Sequence, residues 1–141
     1  MAFTQNTQAT FVKQPTNGKI QILNATGTTV VTGYTAGASG SRIISIVAIN
    51  TDTAAYAIQI SITNGGTLYL LGTKTVPLSS GNVAGTPATN LLDASVIVGL
   101  PLDSDGNPYL YLISGDTLTF SSLTTVTSPK NVTITVMAAD F

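Results

Sequence analysis

Histidine, cysteine, tryptophan and glutamate are all missing from this chain of 141 residues. Each absence removes a class of chemistry. Without histidine a hydroxyl nucleophile lacks its usual activating base, and without cysteine no thiolate is available to act alone. Zinc loses its two preferred ligands for the same reason. No disulfide framework can form. Charge is scarce as well: 8% of the residues are charged, against about 25% in an average soluble domain. The basic residues Lys13, Lys19, Arg42, Lys74 and Lys130 are scattered, and the net charge is −1. No basic cluster exists to displace counterions from phosphates, so nucleic acid is not an expected partner. An anionic membrane surface is excluded on the same ground. Apolar runs fall far short of the ~20 residues that span a bilayer. The first residues lack a basic segment followed by an apolar one, so no secretory signal is expected. Two glycosylation sequons, at Asn24 and Asn131, are chance products of a threonine-rich chain.

What is present favours strands. Apolar residues make up 43% of the chain, enough to build one core, and a chain of this length buries roughly two-thirds of its unfolded surface. Threonine occurs about two dozen times, and its branched, stiff side chain suits a pleated, half-wet surface. Residues 1–18 are polar and irregular and close on Pro15 and the turn "TNGK". They read as an extended N-terminal arm, with residues 19–141 forming a single domain. Strand patterns follow at 19–24, 28–34, 42–51, 54–63, 67–76, 108–114, 117–122 and 131–139, with "NLLDASVIVGL" as a further apolar run. Tyr56, Ile58, Ile60 and Ile62 share one face, as do Val132, Ile134 and Val136. "RIISIVAINT" is apolar on both faces, the pattern of a strand covered from both sides. Asn64-Gly65-Gly66 marks a tight hairpin. The segment 77–89 is too long for a simple hairpin and reads as a crossover or a functional loop. About eight short strands with no helical period define an all-β fold, a two-sheet sandwich of jelly-roll type.

The stretch "LPLDSDGNPYLYLISGD" comes nearest to a reactive or metal-binding motif. Asp103, Asp105 and Asn107 alternate as calcium ligands do, but position 6 of the loop is Pro108 and position 12 is Ser114, where glycine and a bidentate acid are required. The residues match a hairpin bend instead, with Gly106 supplying a positive φ. "GASGSR" has glycines at 37 and 40 but no Lys-Ser/Thr to make a phosphate cradle. Paired aspartates as acid and base would need an apolar cleft to raise one pKa, and the sequence marks none. No enzymatic activity, metal or cofactor is expected. Tyr109 and Tyr111 fall on one face of their strand, where they serve a core, a binding surface or a subunit contact with the phenol end wet.

The run "SIVAINTDTAAYAIQISITNGGTLYLLGTKTVP", then "NLLD", then "LPLDSDGNPYLYLISGDTLTF" resembles the small jelly-roll cement or decoration proteins that coat the capsids of tailed double-stranded DNA phages. The resemblance spans roughly residues 42 to 121 and rests on order: a strand ending in Asn-Thr, a Gly-Gly hairpin, a Leu-Leu segment and "SGDTL". It implies a protein on the outer surface of the virion, without catalytic residues, that clamps neighbouring major capsid subunits. It also implies a homo-oligomer on a symmetry axis. A two-fold dimer is the simplest form and a trimer the next. Phe3 and Phe11 in the arm, with Tyr109 and Tyr111, are the candidate partner contacts. A carbohydrate- or receptor-binding module of a phage fibre or tail is the alternative, with the same tyrosines as a sugar platform.

Overall fold

The computed structural model describes residues 14–141. Among these, the chain forms strands β1 (Gln14–Leu23), β2 (Val31–Thr35), β3 (Ser41–Asn50), β4 (Tyr56–Asn64), β5 (Thr67–Val76), β6 (Thr89–Asn90), β7 (Leu110–Leu112), β8 (Thr117–Ser122) and β9 (Asn131–Asp140). Among the described residues the one helical element is a 3-10 turn, Asn24–Thr26, and no helix there is long and apolar enough to cross a membrane. One sheet has the order β1-β9-β3, with β6 and β7 both pairing to the far side of β3; the other has the order β2-β8-β4-β5. All pairings are antiparallel. The chain passes repeatedly from one sheet to the other, giving the jelly-roll arrangement of two interlocked Greek keys. Its eighth position is shared by two short strands, β6 and β7.

Alternation builds the core. Ile43, Ile46 and Ala48 of β3, Ile134 and Val136 of β9, Ile58 and Ile60 of β4, and Leu118 and Phe120 of β8 are all fully buried between the sheets. Phe120 is the largest of them, and it lies against Gly33 in the bulge of β2. Beside it the two sheets come together backbone to backbone: a methyl group on Gly18 of β1 would fall 1.8 Å from the Gly33 carbonyl oxygen. Gly65 (φ 55°) and Gly66 (φ 81°) form the two-residue turn between β4 and β5, both in the left-handed region that this hairpin demands.

Several expectations change. Residues 14–18, assigned to the arm, are strand: Gln14 pairs with Asp140 and Gly18 with Val136. Pro15 is tolerated because β1 lies at the sheet edge, where a missing N–H costs no ladder bond. Of "NLLDASVIVGL", only Asn90 joins a ladder. The rest loops across the open side of the sandwich and buries Leu91, Leu92 and Ile97, with Asp93 ion-paired to Lys74 of β5. The 108–114 strand shortens to β7. The outer face of β3 is covered only in part: a bulge at Ile44 turns that side chain out, 54% exposed, while Val47 and Ile49 are half-buried.

Polar side chains fasten the ends. Tyr34 of β2 and Ser41 of β3 each donate to Asp140 Oδ1 of β9 at 2.5 Å, tying one sheet to the other. At the opposite end Asn50 Nδ2 donates to the carbonyls of Ala54 (2.7 Å) and Pro77 (3.0 Å), and Tyr56 donates to Asp52 Oδ2 at 2.5 Å.

The Gly18 contact is with backbone, which cannot step aside. Gly18→Ala should therefore destabilise the fold by about 1–3 kcal/mol. That corresponds to a fall of roughly 3–10 °C in thermal midpoint for a domain of this size. Scanning calorimetry of the variant checks it, and an unchanged midpoint contradicts the close approach.

Candidate functional site

The hairpin at 102–108 is a bend held by its first aspartate. Asp103 Oδ1 accepts the backbone N–H groups of Asp105 (2.9 Å) and Asn107 (2.8 Å). The Gly106 N–H returns to the Asp103 carbonyl at 3.0 Å, and φ of Gly106 is 84°. One carboxylate oxygen is thus occupied by turn amides, as an Asx turn requires. Among the described residues no group of three or more acidic, histidine or cysteine side chains is placed to hold a metal ion.

The hairpin delivers its second arm to the edge of β3, and that positions the tyrosines. Arg42 of β3 is opposite Tyr111 of β7 in register. Leu112 is buried, so the alternation turns Tyr111 outward, 52% exposed. Tyr109 packs edge-on against Tyr111, with ring centroids 5.0 Å apart and planes at 72°. Tyr111 in turn meets the ring of Phe141 at 5.8 Å. The Arg42 guanidinium covers one face of Tyr109, 4.1 Å from its centroid, a cation–π contact.

This aromatic row separates two depressions. A groove of about 330 Å³ on the Tyr109 side is bordered by Arg42, Ile44 and Val47 of β3, with Asn90, Leu92 and Pro108 opposite. A shallower hollow of about 360 Å³ on the Tyr111 side is bordered by Gly40, Ile113 and Phe141. Ile113 at its rim is 68% exposed. A second apolar surface lies on the free edge of β5, where Leu68, Tyr69 and Leu70 are exposed in succession. A long edge strand with bare apolar side chains is a ready site of association.

Tyr109 and Tyr111 therefore come together, as the sequence pattern implied, while Phe3 and Phe11 lie outside the described residues. The pattern did not mark Arg42 or Phe141. The only arginine of the chain, at the head of an otherwise apolar strand, was the available signal for the first. For Phe141 there was none, since its contact with Tyr111 depends on long-range pairing.

No protein-family model matches the chain, and no curated protein matches it in sequence. Among solved structures it is similar to the core of Drosophila NLP, whose crystal structure is described as providing insight into pentamer formation and histone binding. The TM-score is 0.46, over 86% of this chain and 96% of that chain, at 10% identity.

Four carboxylates lie below their ordinary range. The Tyr56 hydroxyl holds Asp52 down, the Lys74 ammonium Asp93, the Asn107 backbone N–H Asp103, and the Ser41 hydroxyl followed by that of Tyr34 Asp140. The unfolded chain thus takes up protons at a higher pH than the folded one. The stability these groups contribute is complete above the unfolded carboxylate range and is lost as pH falls through the folded values. The thermal midpoint should stay level from about pH 7 to 5 and drop below about pH 4. A midpoint that rises on acidification contradicts these assignments.

Proposed function

We propose that this chain is a structural virion protein that binds the outside of a phage capsid and stabilises it by clamping neighbouring major capsid subunits, as cement or decoration proteins do. The observation that carries the reading is the surface: few charges, with many exposed apolar and aromatic side chains, among them Tyr111 and Ile113 beside Phe141 and Leu68, Tyr69 and Leu70 along the β5 edge. The resemblance of residues 42 to 121 to that family supports it independently. So does the fate of the carboxylates, since Asp52, Asp93, Asp103, Asp116 and Asp140 all bond within the fold.

A rigid sandwich with two sticky surfaces suits a protein that touches several subunits of a repeating shell. Each contact is modest, but a homo-oligomer engages several at once, and effective concentration multiplies them. A dimer fits a two-fold position and a trimer a three-fold one. With so few charges, most of the contacts are apolar and hydrogen-bonded, and binding as a whole responds weakly to salt.

A carbohydrate- or receptor-binding module of a fibre or tail is the second reading, favoured by the polar groups Asn90 and Asn107 at the groove. Against it, Tyr109 and Tyr111 stand at 72° with Arg42 over one ring, so they offer no flat pair of faces to a sugar.

Sedimentation of the protein with heads stripped of it tests the capsid reading. Binding should persist in about 1 M salt, where the Debye length is only about 3 Å. Tyr111→Asp and Ile113→Asp, each checked for intact fold by circular dichroism, should weaken it about 10-fold or more, as removal of an interface hot spot does. Binding that salt abolishes and neither substitution affects would contradict the proposal.

A further inference from the structure

Among the described residues, one buried side-chain polar atom has no hydrogen-bond partner: Arg42 Nε. A buried donor left unpaired costs free energy, and folded proteins keep few of them. Its charged neighbour does not relieve it. Asp103 Oδ2 stands 3.9 Å from Arg42 Nη2, beyond hydrogen-bond reach. The two amide side chains at the groove are already engaged, Asn90 with both backbone groups of Leu92 and Asn107 with Asp103, and the hydroxyls of Ser45 and Tyr109 are uncharged. Arg42 is thus the charged donor among the residues that border the groove.

The topology explains the opening. β6 meets β3 at Val47 and Ala48, and β7 meets it at Ser41 to Ile43. The outer strand position of this sheet is therefore interrupted beside Ile44 and Ser45, and the groove occupies the interruption.

We propose that this groove receives a carboxylate side chain of a partner protein, with Arg42 as the recognising group. The guanidinium is planar, and its parallel N–H groups match the two oxygens of a carboxylate. The contact with the Tyr109 ring, 4.1 Å from Cζ to the centroid, holds the guanidinium at the groove without using those N–H groups. Ile44, Val47, Leu92 and Pro108 supply apolar walls for the methylene stem. A protein carboxylate fits better than an acidic sugar because Arg42 already covers the Tyr109 face that a sugar ring would use. Asp103 competes electrostatically for the same guanidinium, so the native site is tuned to be weak, as suits one contact among many. The inference deepens the capsid reading by naming the chemistry of one contact. Its test uses the protein alone, so it stands or falls separately from what the partner is.

The chain has a single arginine, so its Nε–Hε group gives one arginine signal in a nitrogen–proton correlation spectrum. Titration of the full chain with acetyl-Gly-Asp-Gly-amide at constant ionic strength should move that signal saturably, in the millimolar range expected of one isolated contact worth about 4 kcal/mol. Acetyl-Gly-Asn-Gly-amide should leave it in place. Asp103→Asn keeps the turn acceptor and removes the competing charge, so it should tighten binding about 3-fold or more. Arg42→Lys keeps the charge and loses the fork; chemical shifts of backbone amides around the groove should then show at least about 5-fold weaker binding. The proposal is overturned if the Arg42 signal does not move, or moves equally with the asparagine peptide. It is also overturned if glucuronate moves the signal at lower concentration than the aspartyl peptide, since the site would then belong to a sugar.

Discussion

The apolar layer between the two sheets, centred on Phe120, is the interaction on which the surface chemistry depends. Side chains in a strand alternate, so burying Ile43 and Leu112 forces Arg42 and Tyr111 to the outside. A slip of one residue in β7 would bury Tyr111 and expose Leu112, exchanging every side chain between faces. The bulge at Ile44 resets the phase of β3, so that Ile46 returns to the core while Ile44 is left on the surface. The aromatic row and its groove are therefore consequences of core registration.

Scarcity of charge shapes the rest. With six aspartates and no glutamate, the chain uses its carboxylates as fasteners. Asp140 joins the two sheets through Tyr34 and Ser41. Asp52 anchors Tyr56 at the opposite end, and Asp116 receives Asn64 Nδ2 at 2.7 Å and the Ile113 N–H at 3.0 Å, pinning the β4–β5 hairpin to the loop before β8. Asp52 and Asp140, held ionised by such donors, are poorly suited to proton transfer near neutral pH, where a catalytic acid needs a raised pKa. What remains on the outside is mainly hydroxyl and hydrocarbon. That surface suits association by shape, and the exposed β5 edge and the aromatic rim each bring bulky apolar groups together.

Local patterns in the sequence carried much of the fold. β5 and β8 fall at the limits their alternation marks, and β4 and β9 fall within two residues of theirs. The Gly65-Gly66 turn and the Asp103 bend follow from residues that need only their neighbours to act. The failures share a cause, which is dependence on distant partners. Gln14 to Gly18 look irregular alone and become strand because β9 pairs with them. The segment after Asn90 is apolar enough for a strand, but its leucines fill the open side of the sandwich instead. The exposure of Ile44 on the outer face of β3 was hidden for a different reason. Hydrophobicity on both faces reads as burial on both faces, and the pattern cannot distinguish a covered strand from an adhesive one. Tyr109 and Tyr111 were legible as a pair, whereas Arg42 and Phe141 join them only through the ladder β7-β3-β9.

Adhesion in many identical copies on a particle is the proposed mode of action. Quantitative mass spectrometry of purified phage particles, with the major capsid protein as internal standard, measures that directly. The account predicts hundreds of copies per particle in a fixed ratio to the capsid subunit. A handful of copies, or none, would contradict it.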